Sequence, residues 1–420
     1  MAGWRFLVVY LGLYSLATQI VGGLILVPGL SFPAFGTSWQ IRDITIWIAT
    51  RAYGITSPLG YTGTSGDTTF HWVQTSWLIV VSALAAAIWW RFDRDPARDA
   101  VVEKWFRLFV RFALAAQMFY FGMAKVIPTQ FPAPSLVTLV EPVGNLSASE
   151  LLWTFIGAST RYQMFTGWAE VAAGVLLIIP RTTTIGAGVA LADMIQVFAL
   201  NMAYDVGLKQ ISFHLILMSL VLLAPDARRF VDVFVLDRAP GPSPHRSLFA
   251  TSRANRRALV AQMVFGAYLL VMFTRLAFTF WSAPGGPGSP RSPLYGIWDV
   301  ARLSIDGQVR PSALNDYDRR WRRVIFDASD MMIFQRTDDS FAHYPASIDS
   351  GTASIALTKG NSRTWRSTFT FTQPNDEQLI LDGEMDQHTI HLELQRVDLD
   401  AFRLLNNRFR WVRPPDASGG

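Results

Sequence analysis

Long apolar runs separated by short clusters of charge dominate the first two thirds of this chain, and they constrain its fold more than any other feature. A run of about 20 apolar residues crosses a bilayer as a helix, because lipid offers no partner to an open backbone N–H or C=O. Residues 6–30, 76–90, 108–123, 165–179, 185–202, 211–223 and 258–281 are runs of this kind. The shorter ones are read as spans extended by their polar flanks. About seven spans follow, with residues 1–283 as a helical membrane domain. The first run is longer than a signal-peptide core and lacks a small-residue cleavage site, so it is expected to be retained.

Charge sets the expected orientation. Arg91, Arg94, Arg98, Lys104 and Arg107 follow the second run, and a second basic group from Arg228 to Arg257 follows the sixth, whereas residues 127–160 carry no Lys or Arg. Basic loops stay in the cytoplasm, which predicts a cytoplasmic N-terminus, an extracytoplasmic C-terminal domain and a place in the inner membrane. The net charge of +5 is therefore read as a topology signal and not as a nucleic-acid surface. Two long outer segments stand out. Ile41, Ile44, Trp47 and Ile48 have the spacing of an interfacial helix, and Pro128, Pro132, Pro134 and Pro142 rule out one continuous helix over 128–160.

A Gly- and Pro-rich linker at 284–293 leads to residues 294–420, where short stretches alternate apolar and polar: 298–303, 323–326, 331–335, 353–357, 367–372, 379–381 and 389–394. A period of two means strands with one wet face, and about eight of them make a small barrel or sandwich. Gln373-Pro374-Asn375-Asp376 and Asp382-Gly383 are read as turns. Gly296-x-Trp298, with Arg408 and Arg410 near the end, is similar to the lipocalin arrangement in which an arginine covers the tryptophan at the closed end; a jelly-roll sandwich is the alternative.

The absence of cysteine excludes thiolate nucleophiles, disulfides and iron–sulfur clusters held by cysteine. Haem is not expected, since His214 is the only histidine clearly within a span, and no nucleotide-binding fingerprint occurs. Ionisable residues in or beside the spans are the candidates for function. These are Arg111, Lys125, Glu170, Asp193, Asp205, Lys209, His214 and Arg275, with Gln117, Tyr120, Gln130, Gln196 and Asn201 as polar neighbours. Glu170 lies about 8 Å into its run at 1.5 Å per residue, and the expected topology lets it converge with Lys125, Asn201, Asp205, Lys209 and His214. Lysine is scarce here: of the four in the chain, Lys125 and Lys209 fall in this group, where an ammonium can exchange a proton and a guanidinium cannot. The same charges can also cancel as packing pairs between helices.

The run from Phe119 through Gly122, Lys125, Pro128 and Gln130 to Pro132 resembles the DoxX-like membrane proteins. So do Gly167-Trp168-Ala169-Glu170 with Gly174, and Asn201-Met202-Ala203-Tyr204-Asp205-Val206 with Lys209. The resemblance covers residues 106–235. It implies a four-helix core that binds a quinone or quinol, with Lys125 and Glu170 handling protons and Gln117, Tyr120, Gln130, Asn201, Asp205, Lys209 and His214 lining the site. Members include a subunit of a thiosulfate:quinone oxidoreductase, so a redox partner in the periplasm or membrane is implied. The core is distantly similar to vitamin K-dependent carboxylase-type proteins, which makes a lysine-based epoxidase or carboxylase-like enzyme a further alternative. A non-enzymatic scaffold whose β domain recruits a periplasmic partner is the other.

Overall fold

The computed structural model describes residues 2–28, 34–61, 66–241, 247–311, 320–360, 362–406 and 411–412. Its helices are α1 (Ala2–Ala17), α2 (Gln19–Gly22), α3 (Trp39–Ala52), α4 (Thr69–Phe92), α5 (Pro96–Val126), α6 (Leu136–Val140), α7 (Ala148–Gly157), α8 (Thr160–Ile178), α9 (Thr183–Ala203), α10 (Lys209–Leu223), α11 (Ala227–Phe234) and α12 (Ser252–Ser282). Its strands are β1 (Arg291–Ile305), β2 (Gln308–Val309), β3 (Trp321–Ala328), β4 (Met331–Arg336), β5 (Phe341–Asp349), β6 (Ser354–Lys359), β7 (Ser362–Asn375), β8 (Gln378–Met385) and β9 (His388–Arg396). Contacts divide the chain into two compact units: Met1–Gln130 with Met164–Phe278, and Phe131–Gln163 with Thr279–Gly420.

In the helical unit, four helices are long and apolar enough to cross a membrane: Thr69–Phe92, Thr183–Ala203, Lys209–Phe234 and Ser252–Ser282. The expected span over 6–30 is not one helix. It breaks at Thr18, whose backbone is extended (φ −106°, ψ −176°) and whose hydroxyl donates to the Tyr14 carbonyl at 2.8 Å. Such back-bonding bends a helix, and the chain resumes as α2 at Gln19. At the other extreme, α5 outruns its apolar run by a dozen residues, because Asp95 accepts from the Ala97 N–H at 2.9 Å and Pro96 occupies the first turn. The interfacial helix expected around Ile41 and Trp47 is α3, which leaves Trp39 and Trp47 exposed.

In the second unit each strand from β3 to β9 pairs antiparallel with the next, and β1 pairs with both β3 and β9, so eight strands close on themselves. This is an up-and-down barrel, not the jelly-roll sandwich. Trp298, Phe326, Phe334, Ile355, Phe369, Leu381 and Leu392 are among the buried apolar residues that fill its interior. Asp382-Gly383 is not a turn; it lies inside β8, where a Cβ on Gly383 would sit 2.5 Å from the Phe369 ring. The turn that follows is Asp386-Gln387, both with positive φ (51° and 68°), between the paired residues Met385 and His388. The turn read at Gln373-Pro374-Asn375-Asp376 falls at its end: β7 runs to Asn375, which pairs with Gln378 across Asp376-Glu377. Strand β5 escaped the sequence reading because Pro345 interrupts its pattern.

Arg408 and Arg410 lie outside the described residues. The arginine over Trp298 is Arg396 of β9, with its guanidinium carbon 5.8 Å from the ring centroid and one N–H donating to the Tyr295 carbonyl at 3.2 Å.

The same unit includes α6 and α7. Leu136 packs against Ile297, Ile325 and Ile333 on the outside of β1, β3 and β4, its N–H donates to Asp327 at 2.9 Å, and the Gln335 amide donates to the Val140 carbonyl at 3.3 Å. Within the stretch 128–160, whose prolines rule out one continuous helix, Leu136–Val140 coats the barrel wall.

Candidate functional site

Helices α5 and α8 cross where neither has a side chain. A Cβ on Gly122 would lie 3.0 Å from the Gly167 carbonyl oxygen, and one on Gly167 would lie 2.7 Å from the Gly122 oxygen and from the Lys125 Cβ. Gly174 likewise makes room for the Phe119 ring. Small residues at a crossing let membrane helices reach backbone contact. Three residues on from each central glycine, on the same helical face, stand Lys125 and Glu170. Lys125 Nζ donates to Glu170 Oε1 at 2.6 Å and to Oε2 at 2.8 Å, and both residues are buried (7% and 1% exposed). The ammonium also lies 5.9 Å from the Phe121 ring centroid.

A third ionisable group joins them. The Asp193 side chain on α9 is within hydrogen-bonding reach of the Glu170 carboxyl, while its Oδ2 is buried with no partner among the described residues. The cluster therefore gathers one ammonium and two carboxyls within a single helix crossing.

The remaining candidates fall in other places. His214 on α10 is buried and saturated: Nδ1 is 2.6 Å from the Gln210 carbonyl, which can only accept, so Nε2 accepts from the Tyr10 hydroxyl at 2.7 Å. Tyr14 stacks on the imidazole with centroids 3.4 Å apart. Gln117 Oε1 and Gln130 Oε1 are buried without partners among the described residues, and half-buried Tyr120 packs edge-on against Phe121 and Phe273. Asn201 is engaged in the α9–α10 connection, donating to the Leu208 carbonyl at 3.1 Å and to Ser212 Oγ at 3.2 Å. Lys209 pairs with Asp205 at 2.7 Å, and the Asp205 side chain is 89% exposed, so these two form a surface pair rather than part of the buried cluster. That ammonium holds the Asp205 carboxyl below the usual aspartate range. Gln196 is exposed; Arg111 donates to Gln262, and Arg275 sits on α12.

Three residues that position these groups carry no local signal. Asp67 caps α10, accepting from the N–H groups of Lys209 (2.6 Å) and Gln210 (3.0 Å). Buried Arg5 ties α1 to the start of α5 through a bidentate pair with Asp99 at 3.0 and 2.8 Å. Tyr10 lies in the first apolar run, where a phenol reads as one more lipid-facing aromatic.

Helices of membrane-crossing length and a C-terminal antiparallel barrel place this chain among membrane proteins that carry a β-barrel domain. The chain belongs to the family of the uncharacterized protein YwoB from Bacillus subtilis, to which it is 36% identical over 132 residues, 31% of this chain and 79% of that protein. No family profile and no solved structure matches it.

Proposed function

We propose that this chain is the membrane-embedded component of a quinone-linked redox system, binding a quinone or quinol beside Lys125 and Glu170. Asp193 carries the reading. A pair serving only to pack helices is complete with one ammonium and one carboxylate. A further carboxyl beside that pair is more than packing needs and gives a proton somewhere to go, as reduction of a quinone or oxidation of a quinol requires at each ring oxygen. Lys125 donates to a ring carbonyl and the carboxyls take up a ring hydroxyl proton. Gln117 and Gln130 offer unpaired buried acceptors to the quinol hydroxyls, and Tyr120 supplies an aromatic wall. In this reading Asp205 and Lys209 are surface residues of the same helical domain, while Asn201 and His214 brace the helices around the site.

The accompanying topology has seven spans, α1, α5 and α8 completing the four long apolar helices, with the N-terminus cytoplasmic and the barrel outside the inner membrane. The shared compact unit of Phe131–Gln163 and the barrel supports the span count, because an even number of spans between them puts both on one side. The implied DoxX-like core fits the same arrangement. A second reading, a scaffold whose β domain recruits a partner protein, draws on the barrel interior, which is filled by side chains and leaves its surface as the working part.

The test is to purify the protein in mild detergent and identify bound quinone by mass spectrometry. One quinone per chain, lost in folded Lys125→Met and Asp193→Asn variants, is the expected result. Quinone absent from every sample moves the assignment to the scaffold.

A further inference from the structure

Arg111 poses a problem that the rest of the helical unit leaves unsolved. It lies 15 residues into α5, about 22 Å from the helix start, and it is 8% exposed. A guanidinium stays charged in any protein environment. Among the described residues no carboxylate acts on it. Its contacts are the Gln262 side-chain oxygen, which accepts from one terminal N–H, and the face of Phe112, 5.0 Å away at the ring centroid; its Nε is buried with no partner. Arg5, the other deeply buried arginine of this unit, has a bidentate carboxylate. A buried cation held by one neutral amide is heavily penalised until an anion reaches it.

The route for an anion lies alongside. Between α5 and α12 runs an open groove of about 390 Å³, walled by Leu24, Trp105, Leu108, Phe112, Gln262 and Phe265. Its volume falls in the range of about 300–1,000 Å³ typical of small-molecule sites. Phe112 and Gln262 belong both to the groove wall and to the contacts of Arg111, so the guanidinium sits directly behind the one polar point of an apolar channel.

We infer that this groove binds an anionic amphiphile with a single acyl chain, a long-chain carboxylate, whose chain lies along Leu108, Phe112 and Phe265 and whose head pairs with Arg111. A carboxylate fits the fork of the guanidinium and supplies the missing charge. A neutral headgroup leaves the arginine unpaired, and a groove of about 390 Å³ is sized for one acyl chain. The site is separate from the Lys125–Glu170 cluster and does not depend on the quinone reading.

The experiment measures binding of palmitate, of hexadecanol and of phosphatidylglycerol to the purified full chain in detergent. The expected result is one palmitate per chain, with hexadecanol weaker by about tenfold or more because it cannot neutralise the guanidinium. Arg111→Gln should lose palmitate by a similar factor with hexadecanol unchanged, and Arg111→Lys should keep more than Arg111→Gln does. Should Arg111→Gln not fold, Ala261→Trp on the same groove wall, which fills the groove and leaves the arginine in place, must lose palmitate. Equal affinity for palmitate and hexadecanol, or undiminished palmitate binding by folded Arg111→Gln, overturns the site. Arg111-dependent phosphatidylglycerol binding in place of palmitate overturns the single-chain assignment.

Discussion

Gly122 and Gly167 stand in backbone contact, so close that a Cβ on Gly167 would lie 2.7 Å from the Gly122 carbonyl oxygen. The Lys125–Glu170 pair follows from this crossing, because any side chain there would hold the two helices apart. Gly167→Val is expected to cost about 1–3 kcal/mol through overpacking and to lower the melting temperature in detergent. Gly188→Ala on α9, where an added Cβ meets nothing within 4 Å, is the matched control and should melt no lower than wild type. Identical behaviour of the two variants would mean that the crossing does not set the geometry.

The charges themselves should be strongly coupled. Removing one partner leaves the other buried and unpaired, so Lys125→Met and Glu170→Met should each destabilise by about 3–5 kcal/mol, while the double variant falls much closer to wild type. Melting curves of all four proteins close the thermodynamic cycle. Additive losses would show that the two groups do not depend on one another, and the site would lose its foundation.

How legible this was in the sequence varied with how local the cause was. Lys125, Glu170 and Asp193 stand out because each is ionisable in or beside an apolar run, and that rule holds without knowing any contact. Their meeting depends on Gly122 and Gly167, whose small size means nothing until two distant helices are superposed. His214 was visible, but its partner Tyr10 is 204 residues away and carries no mark of it. In the barrel, Asp306-Gly307 and Asp382-Gly383 are the same dipeptide. The first turns, linking Ile305 to Gln308, and the second lies within β8 because Phe369 across the sheet needs the space. Another signal was present and unread: Val324-Ile325-Phe326 and Met332-Ile333-Phe334 break strict alternation, and a strand apolar on both faces needs cover on both. Ile325 and Ile333 are the outward members, and Leu136 is the cover.

That coat should be energetically real. Leu136 is 1% exposed against Ile297, Ile325 and Ile333, so Leu136→Ala should cost about 2–5 kcal/mol locally and open Phe131–Gln163 to protease. Val143→Ala, at a position 70% exposed, should leave the cleavage pattern unchanged. Protection that survives Leu136→Ala would detach the coat from that contact.

The β1–β2 turn gives the barrel an acid-sensitive seam. Asp306 accepts from His388 Nδ1 at 2.6 Å and from the Thr389 N–H at 2.9 Å, and these donors hold its carboxyl below the usual aspartate range, the His388 bond contributing most. A carboxyl with a depressed folded value adds stability above its unfolded value of about 3.9 and loses it as pH falls through the folded value. Asp306→Asn should therefore melt below wild type near neutrality, and the gap should shrink as the pH drops below about 4. A gap that stays constant through that window would remove Asp306 from the acid response.

Sidedness can be read directly, since the chain has no cysteine of its own. Gly144 and Gln373 are exposed positions of the second compact unit, on the coat and on the barrel, and Ala97 is exposed at the start of α5. Gly144→Cys and Gln373→Cys should both react with a membrane-impermeant maleimide on spheroplasts, and Ala97→Cys only after permeabilisation. The first two must agree whatever the orientation, because the coat packs directly on the barrel wall, so a split between them would break the coat as described. Agreement with Ala97 labelled first would instead keep the coat and invert the topology, putting the Lys125 end of α5 on the cytoplasmic side and the proton exchange with it.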